Sequence, residues 1–167
     1  NIKNKKIYKG EEIADIECRY SPNLKGIKIN PKINSRAIDE LPLIFCLMCA
    51  KAKGVSYAKN LGELRHKEQD RLKFVIKFLK MIGVKAVEKK NNLKIYGNPN
   101  LKLEGPYIIK NFMKDHRAFM LSCIAALAFD GNKNFEIHDT DSINTSFPNF
   151  ILLLKKLGAK INWLKKI

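Results

Sequence analysis

Apolar positions along this chain follow two rhythms. Leu72, Val75, Ile76, Leu79 and Ile82 recur every three or four places, which predicts a helix over residues 69–82 with one face turned to a core. Gly83 follows where a helix end needs a residue free to turn left-handed. The same reading predicts a helix over 39–53, capped by Asp39 and closed by Gly54, and another over 115–130, closed by Gly131. A fourth covers 147–157, with Ser146 as cap, Pro148 in the first turn and Gly158 at the end. Shorter apolar runs predict strands at 13–18, 26–29, 55–58, 84–88, 93–96, 107–109, 135–138 and 160–163. Asn91-Asn92 would turn the fourth of these back on the fifth as a hairpin.

These elements recur in order. Pro22-Asn23-Leu24-Lys25 returns as Pro99-Asn100-Leu101-Lys102, 77 positions on. The helix-opening Asp39 returns as Asp115, Gly54 as Gly131 and Gly83 as Gly158, at spacings of 76, 77 and 75. The repeating unit reads strand, helix, strand, helix, strand, strand. The fold class is therefore α/β, built from repeated βαβαββ units. The chain is expected to be a single partial domain over 1–167, with internal repeats over about 22–98 and 99–167. It enters partway through one unit and stops partway through another, and the absence of an initial Met points to an upstream portion.

Composition narrows the setting. No apolar run is long enough to cross a bilayer, the longest being residues 41–50, and no signal-peptide pattern opens the chain. Cys46-Leu47-Met48-Cys49 has C-x-x-C spacing but sits inside an apolar helix, where packing rather than redox chemistry is expected. No second such pair and no suitable histidines support a zinc site; neither metal nor cofactor is expected, and the compartment is cytoplasmic. Net charge is +16, so nucleic acid must be weighed. Yet only five of 32 basic residues are Arg, and the lysines are scattered among Asn and Ile, which reads as a solvated basic surface.

Three of those five arginines fall in clusters at or just before helix starts: residues 37–42, 63–72 and 114–120. Helix N-termini present free N–H groups, and Arg grips carboxylate or phosphate with two donors at once. The plain alternative is that Asp39 and Asp115 only cap helices. Lys67, Glu68, Asp70 and Arg71 would then form a charged first turn, Lys67 and Arg71 sharing an exposed face. His66 and His138 are read as surface or packing residues.

Four segments, in order and spacing, carry a resemblance. Asp39-Glu40-Leu41-Pro42 comes first, then Gly62-Glu63-Leu64-Arg65-His66-Lys67-Glu68-Gln69-Asp70-Arg71-Leu72. Asp115-His116-Arg117 and Asn144-Thr145-Ser146-Phe147-Pro148-Asn149-Phe150 follow, with Leu157-Gly158-Ala159-Lys160-Ile161 closing. Together they resemble the C-terminal motifs of the 5-enolpyruvylshikimate-3-phosphate synthase family, over nearly all the chain from Ala14 onward. The second segment is the specific one. The resemblance implies the enolpyruvyl transferase fold, with this chain supplying about two units of a three-unit domain. It implies transfer of the carboxyvinyl group of phosphoenolpyruvate to the 5-hydroxyl of shikimate 3-phosphate, with an N-terminal domain of the same enzyme as partner.

Position by position, the resemblance implies Asp39 as general base and Lys67 as a contact to shikimate 3-phosphate that shares in proton transfer. Glu68 would stand near the methylene carbon. Arg71 and Arg117 would clamp phosphoenolpyruvate, with His116 beside them. Glu63 stands where some members have a substrate-contacting Asn, and Thr145 where some have Lys; both are left out of the site. Gln69 and His66 also depart from the commonest pattern, away from the chemistry. Two rivals stand beside this reading. One is the related transferase acting on a UDP-sugar, whose reactive Cys lies in a loop outside these motifs; no such exposed Cys is expected in this chain. The other is a basic RNA-binding or RNA-end-processing repeat domain, which would want aromatics among Lys and Arg on a strand face. Here the aromatics Phe74, Phe78, Phe119 and Phe150 fall mostly on helix core positions, and nucleic acid is not expected as a partner.

Overall fold

The fold is built around a four-stranded sheet that buries Ser56, Ala58, Leu93 and Ile95 on one face and leaves the other open. The computed structural model describes residues 1–30, 39, 45–110, 112–128 and 134–164. Within them, β1 (Ile2–Tyr8) and β2 (Glu11–Ile16) form an antiparallel hairpin with every residue exposed. There follow β3 (Lys28–Ile29), α1 (Cys46–Lys51), β4 (Gly54–Ala58), a 3-10 turn (Gly62–His66), α2 (Arg71–Met81), β5 (Ala86–Lys89) and β6 (Asn92–Gly97). The sheet order is β3-β4-β6-β5. β3 runs parallel to β4, while β6 is antiparallel to both β4 and β5. A second run begins with β7 (Tyr107–Ile109), α3 (His116–Leu127) and β8 (Phe135–Ile137), the two strands parallel. A 3-10 turn (Thr140–Ile143) and α4 (Phe150–Lys156) complete it. The order β3-α1-β4-α2-β5-β6 is one βαβαββ unit, and β7-α3-β8-α4 repeats its first four elements.

Local chemistry accounts for the element ends. Asp70 accepts from the Lys73 N–H at 2.8 Å and opens α2; Leu72, Val75, Phe78 and Leu79 are then buried on one side of it. Gly83 leaves the helix at φ 78°, a conformation that costs a β-carbon dearly, and Val84 returns its N–H to Leu79 at 2.8 Å. Cys46, Cys49, Leu72, Val75, Leu93 and Ile95 line one small void, so α1 and α2 cover the same face of the sheet. At the end of β6 an added β-carbon on Gly97 would stand 2.1 Å from the Ala52 carbonyl oxygen. Only glycine lets the strand pass that close to the end of α1. The core continues between units through Phe112, whose ring lies 6.1 Å from Phe74 on α2 and 5.5 Å from Phe119 on α3.

Several expectations change. Residues 2–8, with four lysines or asparagines among seven, form a strand that polar composition hid; backbone pairing to β2 holds it, not burial. The hairpin turns at Lys90-Asn91, one place earlier than expected, with Lys89 paired to Asn92 and Lys90 at φ 57°. α4 starts at Phe150 after Asn149, not at Phe147 after Ser146, because Ser146 directs its hydroxyl back to Ile143 and Pro148 stays in the preceding turn. Residues 160–163 form no strand, having no pairing partner among the described residues. The first and third helices end at Lys51 and Leu127, short of 53 and 130. Residues 40–44 and the expected stop Gly131 lie outside the described residues.

Phe78, Phe119 and Phe150 are buried and Phe74 packs on the core, as helical spacing predicts. Tyr57 and Tyr96 differ, lying on the open sheet face with Lys94 over both rings, at 5.3 and 4.6 Å. Cys46, Cys49 and Cys123 are buried; burial pushes the first two thiols up and the third to about 12. Cys18, against the expectation of no exposed Cys, lies open to solvent just beyond the β1–β2 hairpin, so a thiol reagent at mildly alkaline pH should modify it and leave the other three until denaturant is added. Native-state labelling followed by peptide mass mapping checks this; four equal rates would contradict the packing described.

Candidate active site

The three clusters singled out by sequence each follow the C-terminal end of a parallel strand. Asp39 follows β3, residues 62–71 follow β4, and residues 112–117 follow β7. Open parallel arrangements place their crevices at that end. Here the strand ends of two sheets meet and bring together residues up to 78 positions apart.

Arg71, the first residue of α2, is the hub. Its side chain is 3% exposed. Nε donates to Asp115 Oδ2 at 2.9 Å and Nη2 to Asp115 Oδ1 at 3.3 Å, a side-on bidentate pair. Nη2 also donates to Glu68 Oε2 at 2.6 Å, and Nη1 to Asp39 Oδ1 at 3.3 Å. At least four of the five guanidinium donors are thus engaged by three carboxylates. Lys67 Nζ stands 3.3 Å from the same Asp39 oxygen and 2.6 Å from Glu63 Oε1. Hydrogen bonding to Glu63 first, then to Asp39, holds the Lys67 pKa above the ordinary lysine value. Arg117 Nη1 donates to the Asp39 backbone oxygen at 3.0 Å.

Asp115 does two jobs. Its Oδ1 accepts from the N–H groups of Arg117 and Ala118, at 3.0 and 3.2 Å, capping α3 as the pattern predicts. Its second role, neutralising Arg71 in a fully buried position, is not visible in a capping pattern. The surrounding loops are fixed to one another. Gln69 Nε2 donates to the Phe112 oxygen at 3.2 Å, and the Phe112 N–H donates to Asp139 Oδ2 at 3.1 Å. Met113 and Lys114 then take φ values of 49° and 63°, a tight reversal that delivers Asp115 to the head of α3. Arg65 binds Asp70 at 3.0 Å, together with Glu88 and the Lys90 carbonyl, so the loop before α2 is held to the β5–β6 hairpin.

Asp39, Lys67, Glu68, Arg71 and Arg117 therefore form one connected group, with half-buried His116 in the first turn of α3 beside Arg117. The alternative of a charged first turn fails: Lys67 precedes the helix in extended backbone and Arg71 points into the core. Asp39 is itself helical rather than a cap ahead of a helix. Glu63, left out of the site by sequence reasoning, touches Lys67, whereas Thr145 is exposed and makes no hydrogen bond with the group. The one sequence signal for Asp115 as more than a cap is its place beside His116-Arg117. Among the described residues no three His, Cys, Asp or Glu are placed to hold a metal, and no helix is long and apolar enough to cross a membrane.

Residues 5–163 match the family EPSP synthase (3-phosphoshikimate 1-carboxyvinyltransferase). The chain belongs to that family. It is 41% identical over 153 residues to the 3-phosphoshikimate 1-carboxyvinyltransferase of Campylobacter concisus, covering 92% of this chain and 33% of the relative. With the enzyme of that name from Ruthia magnifica identity is 38%, over 97% of this chain and 36% of the relative. The chain thus spans about a third of the length of its curated relatives. An EPSP synthase structure from Acinetobacter baumannii superposes with a TM-score of 0.80 at 31% identity, over 93% of this chain and 35% of that one. The enolpyruvyl transferase NikO from Streptomyces tendae, at TM-score 0.59 and 18% identity, shares the fold. The α/β fold is accordingly that of the enolpyruvyl transferases.

The buried pair sets the first expectation for the site. Asp115→Ala leaves the Arg71 charge without its main partner and should cost about 3–5 kcal/mol in urea unfolding. Joining it to Arg71→Met should cost less than the sum of the two single changes. Additive losses would show that the two residues are not coupled.

Proposed function

We propose that this chain forms one wall of the active site of a 3-phosphoshikimate 1-carboxyvinyltransferase. In the proposed reaction the carboxyvinyl group of phosphoenolpyruvate passes to the 5-hydroxyl of shikimate 3-phosphate, by addition and then elimination of phosphate. The observation that carries it is the joining of Asp39, Lys67 and Arg71 through one carboxylate oxygen, with Glu68 and Arg117 on the same group. In this reading the chain is part of a larger domain, with repeats over about 22–98 and 99–167, and a further domain of the same protein closes the cleft. The compartment is the cytoplasm.

Asp39 accepts the proton of the attacking hydroxyl, Lys67 grips shikimate 3-phosphate, and Glu68 serves the methylene carbon of phosphoenolpyruvate. Arg117 and Arg71 hold the anionic end of phosphoenolpyruvate, with His116 as a polar neighbour. Arg71 enters this role by exchange: an arriving oxygen takes over donors now held by Asp39 and Glu68, while Asp115 stays bonded behind it. Release of those two carboxylates is chemically apt, because the base and the acid must be free when substrate is seated. The acceptor preference for shikimate 3-phosphate over a UDP-sugar is supported by the names of the more identical relatives.

Phosphate release from phosphoenolpyruvate in the presence of shikimate 3-phosphate tests the reading. In the intact protein Asp39→Ala should lower kcat by about 10²–10⁴-fold, as loss of a general base does. Arg117→Ala should act mainly by raising KM for phosphoenolpyruvate. The 167-residue chain by itself should not turn over, since enclosure and further cations are missing. Turnover by the chain at the intact protein's rate would refute the one-wall reading, and an intact protein without turnover would refute the activity.

A further inference from the structure

Glu63 lies outside every role assigned above, yet it makes a short contact to a proposed substrate-binding cation. It is the second residue of the 3-10 turn Gly62–His66, and Lys67 is the residue that leaves that turn. The turn brings Glu63 Oε1 to 2.6 Å from Lys67 Nζ. The same ammonium stands 3.3 Å from Asp39 Oδ1. Lys67 is thus suspended between two carboxylates, one at each end of its reach. Its side chain is 24% exposed, whereas that of Glu63 is 60% exposed. Glu63 is therefore the more exposed partner of the contact.

We propose that Glu63 is a positioning residue: it holds the Lys67 ammonium in place beside Asp39 and fixes it in the charged state. A lysine has four rotatable side-chain bonds and wanders unless something holds its tip. A single bond to Asp39 at 3.3 Å is long, and Asp39 Oδ1 is shared with Arg71. The Glu63 contact is the shorter and fixes the side chain independently of Arg71. It also keeps one carboxylate on Lys67 when Asp39 turns to a substrate hydroxyl. The sign follows from the geometry: a carboxylate next to an ammonium favours the protonated form, so removing the carboxylate makes Lys67 easier to deprotonate.

This inference rests on the proposed role of Lys67 in substrate binding, and its test separates the two. In the intact protein with 13Cε-labelled lysine, the Lys67 resonance is assigned by its loss in Lys67→Arg and titrated with alkali. Glu63→Gln should move its midpoint to lower pH while keeping an acceptor atom in place; Glu63→Ala should move it at least as far and broaden the resonance. An unchanged midpoint in both variants overturns the proposal, whatever the enzyme does. In the turnover assay Glu63→Gln should lower kcat about fivefold, the scale of one exposed ion pair, and bring the alkaline limb of the profile to lower pH. Glu63→Asp should restore part of the loss. A fall in rate with the alkaline limb unmoved would mean a structural role only and overturn the proposal. A shifted Lys67 midpoint in a protein without turnover would uphold the pairing and reject the activity instead.

Discussion

The buried pair between Arg71 and Asp115 is the interaction on which the rest of the site depends. Two charges withdrawn from water lose several kcal/mol of hydration each, and their attraction roughly restores it. The pair is therefore a poor source of net stability and a strong source of position. It ties the first residue of α2 to the residue that opens α3, 44 places apart. Asp115 can do this only because the same carboxylate is held by two N–H groups of its own helix. The Phe74, Phe112 and Phe119 rings pack the two helices together just behind it. Apolar contact and the ion pair thus join the same two helices.

Charge at the site differs in kind from charge on the chain. The net +16 comes from lysines spread over the surface. The site itself sets the carboxylates Asp39, Glu63, Glu68 and Asp115 against the cations Lys67, Arg71 and Arg117. Each cation is oriented by a carboxylate or a carbonyl before any ligand arrives. Preorganised dipoles and charges of this sort cost little to reorganise when charge develops nearby. The open sheet face shows the contrast. Lys94 there lies over Tyr57 and Tyr96, where solvent surrounds the ammonium and no carboxylate among the described residues fixes it.

Much of this was legible in sequence because spacing encodes it. Helical periodicity gave α2 almost to its ends, and the repeated landmarks anticipated the second βαβ run. The motif residues Asp39, Lys67, Glu68, Arg71 and Arg117, picked out partly because Arg is scarce in this chain, are joined in the structure. What escaped has a common physical cause. β1 pairs through backbone groups that every residue owns, so its side chains carry no signal. Ser146 had a capping residue's chemistry, but its hydroxyl found a nearer acceptor at Ile143. The bond from Asp115 to Arg71 joins two units of the fold, and no local pattern reports a contact between residues 44 apart. Glu63 was set aside because an expected Asn was missing; its actual partner lay four residues on.

Topology explains why these groups meet at all. In a βαβ crossover the chain leaves the C-terminal end of one strand and re-enters the next at the opposite end. Every loop leading from strand to helix in a parallel pair therefore lies at the same edge. β3 and β4, parallel in one sheet, release the loops of Asp39 and Lys67 at one edge; β7 pairs with β8 in a sheet of its own, and the bond from Arg71 to Asp115 joins its loop to that edge. The N-termini of α2 and α3 lie at that edge as well, and the carboxylates of Asp70 and Asp115 sit on their N–H groups, since a helix N-terminus favours anions over cations. A repeat that stacks βαβ units thus accumulates anion-ready loops on one side and packing residues on the other. Chemistry needs only small edits within those loops: Arg at the head of α2, Lys just before it and Arg beside the cap of α3. The helices and strands beneath can then keep their pattern for the core, which is why the same residues that define the site disturb none of the apolar spacing.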